Sequence, residues 1–252
     1  MRVMAAKLAL APLLIWQGRR VRAQALRLPE AAGPRAGQEG EPTSEAPLRL
    51  LIVGDSSAAG VGAPTQQDAL AGRLAQALAR RLARPVHWRV QACTGHTAAD
   101  SLRALQQAEL APADLAVTAL GVNDVTGQVG VHRWLAALDR LDALLRERAG
   151  VAYVLHCAVP PMQQFSLLPQ PLRWWMGLEA ARFNHRLRQH LAGQPARGLL
   201  ALPDGLHRPG GAQGLMAEDG FHPGPAGYAV WAEALAQDLA PRVAALTAVS
   251  CA

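Results

Sequence analysis

Cysteine is scarce in this 252-residue chain: Cys93, Cys157 and Cys251 are an odd three, with no C-x-x-C spacing. That excludes a disulfide framework and gives no zinc-site pattern, so the first two read as small buried apolar residues and the third as a tail thiol. Lysine is scarcer still. Lys7 stands alone, and the other 24 of the 25 basic side chains are arginine, a bias that with the abundance of alanine reflects base composition more than a partner. The chain has no H-E-x-x-H, no G-x-x-x-x-G-K-[ST] and no internal repeat. A zincin helix, a phosphate-cradling P-loop and a solenoid are thereby set aside.

What is present is the material of a folded domain. Half the residues are apolar and 17% are charged, which argues against a disordered or coiled-coil chain. A chain of this length buries roughly three-quarters of its unfolded surface and needs no staples. The formal charge of +6 is unevenly placed. Residues 1–40 hold seven basic side chains against Glu30 and Glu39, leaving +1 for the remainder. A near-neutral body has no basic face for a phosphate backbone, so a nucleic-acid partner is not expected.

Leu8–Trp16 (LALAPLLIW) follows Arg2 and Lys7 and precedes Arg19, Arg20 and Arg22. Nine apolar residues are too few to cross a bilayer, which takes about 20. Residues 1–28 are therefore read as a leader helix with three open fates: peripheral contact with a membrane surface, cleavage as a secretory signal, or packing on its own domain. Arginines crowding the A-x-A pattern that follows the apolar run, Ala23–Ala25, weigh against export. The cellular address stays open between membrane-associated and cytoplasmic, and the oligomeric state is not legible. Residues 29–47 (PEAAGPRAGQEGEPTSEAP, from Pro29) are rich in Pro, Gly and Glu and read as a linker. The body is predicted over 48–246, with 247–252 as a tail.

Within the body, apolar runs at 48–53, 86–91, 114–120, 151–159 and 199–202 predict strands. Three- and four-residue apolar spacing predicts helices over 66–83, 98–109, 131–148, 171–191 and 225–246. Strands alternating with helices require crossover connections, hence an α/β fold with a mainly parallel sheet between two helical layers. Ligands in such folds sit beyond the carboxyl ends of the strands.

Those ends hold the reactive residues. Gly54-Asp55-Ser56-Ser57 follows the first strand. A serine at a strand-to-helix bend can present its hydroxyl to a cleft, or it can simply cap the next helix. Gly95 follows the second strand, where it allows a backbone N–H to approach an oxyanion or merely makes a turn. Asn123, after the third strand, can donate to the same oxyanion or close an Asx-turn. Asp219-Gly220-Phe221-His222 precedes the last helix. A carboxylate three residues before an imidazole can bond one ring nitrogen and aim the other at a hydroxyl, or cap its own turn. Together these pieces supply a nucleophile, a base, an orienting carboxylate and oxyanion donors.

In that order, Gly54-Asp55-Ser56, Gly95, Gly121-x-Asn123-Asp124 and Asp219-x-x-His222, the chain resembles the SGNH, or GDSL-type, hydrolases over about residues 48–246. The resemblance implies a three-layer α/β/α fold with a five-stranded parallel sheet, and esterase, lipase, thioesterase or carbohydrate-deacetylating activity on a small-molecule ester. It implies Ser56 as nucleophile, His222 as base and Asp219 as its orienter. Ser56, Gly95 and Asn123 would form the oxyanion hole, with no cofactor or metal. Two departures stand out: Ser57 follows the serine where the family name has leucine, and Val90-Gln91-Ala92-Cys93-Thr94 lacks the asparagine and extra glycine usual before Gly95. A non-catalytic binding protein that keeps the fold is the competing class. His96, beside Gly95, is a candidate pocket residue, and His156 reads as buried and hydrogen-bonded. His87, His132, His185, His190 and His207 read as surface or packing residues. Phe165, Trp174, Trp175 and Met176 read as core or as an acyl-chain wall.

Overall fold

The computed structural model describes residues 2–165, 167–203, 206 and 214–250, the side chains of 2–9 and 246–250 excepted. His207 and Cys251 lie outside the described residues. The elements run α1 (Arg2–Gln24), β1 (Ala36–Glu39), β2 (Leu48–Gly54), α2 (Leu70–Leu82), β3 (Val86–Ala92), α3 (Ala98–Gln107), β4 (Leu115–Ala119), α4 (Val122–Thr126), α5 (Val131–Ala149), β5 (Tyr153–Cys157), α6 (Leu172–Leu191), β6 (Arg197–Leu200) and α7 (Pro225–Ser250).

β2, β4 and β5 are buried nearly throughout because both faces of the sheet are covered. One face packs Leu50, Ile52, Leu115 and Val117 against α2 and α7, through Leu74, Leu78, Trp231 and Leu235. The opposite face packs Leu51, Val53, Ala116 and Val154 against α3, α5 and α6, through Leu102, Leu138, Phe183 and Leu187. The three-layer α/β/α architecture is the expected one. Local chemistry supports the helices: a Thr97–Asp100 capping box starts α3, and Arg80 and Arg81 sit at the dipole-favoured end of α2.

Strand order is β1-β3-β2-β4-β5-β6. The five strands from β2 to β6 are mutually parallel, as expected. The sixth corrects the sequence reading. β1 comes from the segment taken for a linker and pairs antiparallel with β3, Ala36 opposite Arg89 and Glu39 opposite Val86. Four residues with Gly37 among them carry little strand signal. Gly37 is accommodated because a Cβ there would collide with the Trp88 ring.

The leader is helical, and its inner face packs on the body. Leu14 joins the core beside Leu10 and Val21. Gln17 donates to the Gln170 carbonyl at 2.7 Å and accepts from the Leu172 N–H at 3.1 Å. Leu13, Ile15 and Trp16 remain exposed on the outer face, and among the described residues no helix is long and apolar enough to cross a membrane. His156 is buried between Thr118 (2.7 Å) and Asp142 (3.0 Å), and Arg197 pairs with the same Asp142 at 2.6 Å. Cys157 is buried as expected, whereas Cys93 is exposed because it opens a loop beyond β3.

Register places the site. Gly54 aligns with Ala92 on β3 and with Ala119 on β4, so the loops after all three strands emerge at one edge of the sheet. The chain winds outward from β2 in both directions, and a crevice opens at such a reversal of strand order.

Candidate active site

The turn after β2 is tied to its neighbours by backbone bonds. The Asp55 N–H donates to the Ala119 carbonyl at 3.2 Å, and the Ala59 and Val61 N–H groups close onto the Asp55 and Ser56 carbonyls at 2.9 and 3.0 Å. The Ser57 N–H donates to Asp55 Oδ1 at 3.1 Å. Among the described residues, no protein acceptor takes the Ser56 N–H or that of Gly95. Ser56 itself is buried.

The loop before α7 brings the histidine to this turn. Asp219 Oδ1 accepts from the Phe221 and His222 N–H groups at 2.9 and 3.0 Å, while its Oδ2 lies 2.6 Å from His222 Nδ1. The Ala217 N–H donates to the His222 carbonyl at 2.8 Å. From α7, the Tyr228 hydroxyl donates to the Val61 carbonyl at 2.7 Å, which fastens that helix to the serine turn. With Nδ1–H directed at the carboxylate, Nε2 becomes the acceptor, and it lies 2.8 Å from Ser56 Oγ. Burial pushes the Asp219 carboxyl up, but the His222 ring and the two N–H groups outweigh it and hold the carboxyl below its ordinary value. It is therefore an anion at neutral pH.

Gly95 sits in the exposed loop after β3 with φ +87°, a left-handed conformation that a side chain would strain. The neighbouring His96 contributes its carbonyl, which accepts from Asn123 Nδ2 at 3.0 Å. The second Nδ2 hydrogen goes to Asp55 Oδ2 at 3.2 Å. Asn123 lies in the first turn of α4, a short helix that the sequence reading passed over. Asp124 follows and accepts from the Ala98 N–H at 3.1 Å, so the β4 loop is pinned to the start of α3. Burial raises Asp124 to about 6 and Asp55 to about 7.

Ser56, Asp219 and His222 thus meet in one hydrogen-bonded chain, and Asn123 reaches the Gly95 loop. Beside them is a small cavity of about 30 Å³, bordered by Asp55, Ser57, Phe165, Phe221, Pro223 and Trp231. Phe165 meets Phe221 at 4.8 Å. Trp175 and Met176 are core residues, and Trp174 is partly exposed. Two residues escaped the sequence reading. Asp55 was quoted as part of a motif but given no task, and Glu30, in the supposed linker, accepts from the Thr94 N–H and hydroxyl.

Residues 52–230, well over half of the chain, match the GDSL-like lipase/acylhydrolase family. The chain belongs to that family. A GDSL-like esterase of Mycobacterium tuberculosis is 27% identical over 194 residues, which cover 75% of this chain. The chain spans 60% of the length of that relative. Among solved structures, a psychrotrophic esterase from Pseudoalteromonas matches with a TM-score of 0.55 and 19% identity, covering 77% of this chain and 98% of its own. A carbohydrate acetylesterase family member from Sinorhizobium meliloti matches with a TM-score of 0.52 and 20% identity, covering 78% and 97%. These structures share the fold of this chain.

Proposed function

We propose that the protein hydrolyses carboxylic esters of small molecules by acyl transfer through Ser56, His222 and Asp219. The observation that carries the reading is the unbroken chain from Ser56 Oγ to His222 Nε2 (2.8 Å) and from Nδ1 to Asp219 Oδ2 (2.6 Å). Ser56 Oγ attacks the ester carbonyl carbon while His222 takes the hydroxyl proton, and the ionised Asp219 stabilises the imidazolium. The carbonyl oxygen becomes an oxyanion, met by the Ser56 and Gly95 N–H groups and by the Asn123 amide. Asn123 serves it by exchanging the longer of its two present bonds, the one to Asp55. Collapse breaks the bond to the alcohol, which departs with the proton from His222. Water then repeats the sequence on the acyl-serine and releases a carboxylic acid, returning the proton to Ser56.

The test is labelling with a fluorophosphonate together with turnover of a chromogenic short-chain ester. Wild type should be labelled and active, and Ser56→Ala should lose both, with a loss on the order of 10⁶-fold in kcat. Near-normal turnover by Ser56→Ala would refute the assignment, and failure of both assays in wild type would favour a binding protein on the same fold.

A further inference from the structure

We propose that Glu30 is a positioning residue for the oxyanion hole, a role that rests on the esterase reading above. The hole draws one donor from the turn after β2 and another from the loop after β3. Two donors on separate loops act together only if the distance between them is held, because a displacement of about 1 Å at a reacting centre costs on the order of 10²-fold in rate. The loop carrying Gly95 is exposed at Cys93, Thr94 and Gly95. Its bonds are a turn from the His96 N–H to the Cys93 carbonyl at 3.2 Å, one from the Cys93 N–H to the Gly54 carbonyl at the end of β2 at 3.2 Å, and one from Asn123 Nδ2 to the His96 carbonyl at 3.0 Å.

The segment 30–39 adds a tie at Thr94, directly before Gly95, and bridges both loops. Glu30 Oε1 accepts from both the N–H (2.8 Å) and the hydroxyl (2.7 Å) of Thr94, the residue before Gly95. Its other oxygen pairs with Arg35, whose guanidinium also donates to the Ala92 carbonyl at the end of β3. Next to Glu30, the Ala31 N–H donates to the Ala59 carbonyl in the serine turn at 3.2 Å. The buried Gln66 amide donates to the Ala31 and Ala59 carbonyls at 3.1 and 3.0 Å. One end of the strap thus grips the nucleophile turn and its carboxylate grips the Gly95 loop, while β1 fixes its far end to β3. Burial pushes the Glu30 carboxyl up, but the Thr94 bonds and Arg35 more than offset this and hold it below its ordinary value, so it is ionised at neutral pH. The strap itself, residues 30–39, lies before residue 52, where the family match begins.

The experiment is steady-state kinetics of the full chain on p-nitrophenyl acetate, comparing wild type, Glu30→Ala, Glu30→Gln and Ser56→Ala. Misplacing one donor without removing it should lower kcat of Glu30→Ala about tenfold, less than the 10²- to 10³-fold loss of a whole donor, with KM within about twofold. Glu30→Gln loses the Arg35 ion pair but keeps an oxygen that can accept both Thr94 bonds, so its kcat should return to within about threefold of wild type. A strap that served stability alone would make both variants lose activity only in proportion to their unfolded fraction, read by circular dichroism. The proposal is overturned if Glu30→Ala keeps wild-type kcat, or if Glu30→Gln falls as far as Glu30→Ala, while Ser56→Ala is inactive. Unlabelled, inactive wild type would instead take down the esterase reading and this proposal with it.

Discussion

Asp55 lies beneath Asn123 and accepts from its side-chain amide at 3.2 Å, while the same amide donates to the His96 carbonyl at 3.0 Å. Both hydrogens of the candidate oxyanion donor are therefore held before substrate arrives. That arrangement fixes the plane of the amide and, on the proposed reading, makes Asp55 the acceptor that a transition-state oxyanion would replace. Preorganised donors of this kind are effective because they need no reorientation as charge develops.

Asn123→Ala should therefore lower kcat by about 10² to 10³ with little change in KM. Steady-state kinetics on a soluble ester measures it. A variant with the turnover of wild type would remove Asn123 from the hole.

Asp55 makes stability depend on pH in a defined direction. Its carboxyl is raised from 3.8 to about 7, first by burial and with Asp124 adding to it, against lowering by the Ser57 N–H and His222. Below pH 4 the folded and unfolded chains both carry the proton. Between pH 4 and 7 the unfolded chain releases it and the folded chain keeps it, so stability falls by about 1.4 kcal/mol per pH unit from this group. Asp55→Asn lacks the effect. Urea unfolding should show the wild type losing stability relative to Asp55→Asn by a few kcal/mol between pH 4 and 7, and holding level above 7. Curves that run parallel would show that the carboxyl titrates normally.

Gly62 sets the distance between the serine turn and the histidine loop. Its φ is +95°, and a Cβ there would collide with the Pro223 carbonyl oxygen and approach His222 Cβ to 3.4 Å. Gly62→Ala should push the 216–223 loop outward, lowering kcat and destabilising the fold by about 1–3 kcal/mol. Thermal unfolding and turnover of the variant test both effects. Unchanged values would mean that the loop yields freely.

On the proposed esterase reading, the small cavity bordered by Asp55 and Ser57 is where the acyl group would sit. At about 30 Å³ it holds one or two water molecules' worth of matter. Acetyl and propionyl esters should exceed octanoyl esters by about tenfold or more in kcat/KM. A chain-length series of p-nitrophenyl esters decides this, and a preference for octanoyl would show that the acyl chain lies elsewhere.

The alternation of apolar runs and amphipathic helices was enough to reveal the parallel strands β2–β6 and their flanking layers, because burial on both faces leaves a continuous apolar signature in each strand. Ser56, Gly95, Asn123, Asp219 and His222 were legible as candidates for a related reason: each follows or precedes such an element, and polar residues collected at strand ends carry little other meaning. Only the tertiary structure decided that the supposed linker is part of the body. Its strand of four polar or small residues owes its form to hydrogen bonds from β3, and Glu30 owes its contact to a loop 64 residues away. The weight of Asp55 was equally hidden, since a carboxyl's affinity for its proton depends on what surrounds it in space. Local pattern records what a segment buries, whereas partners distant along the chain are chosen by the fold.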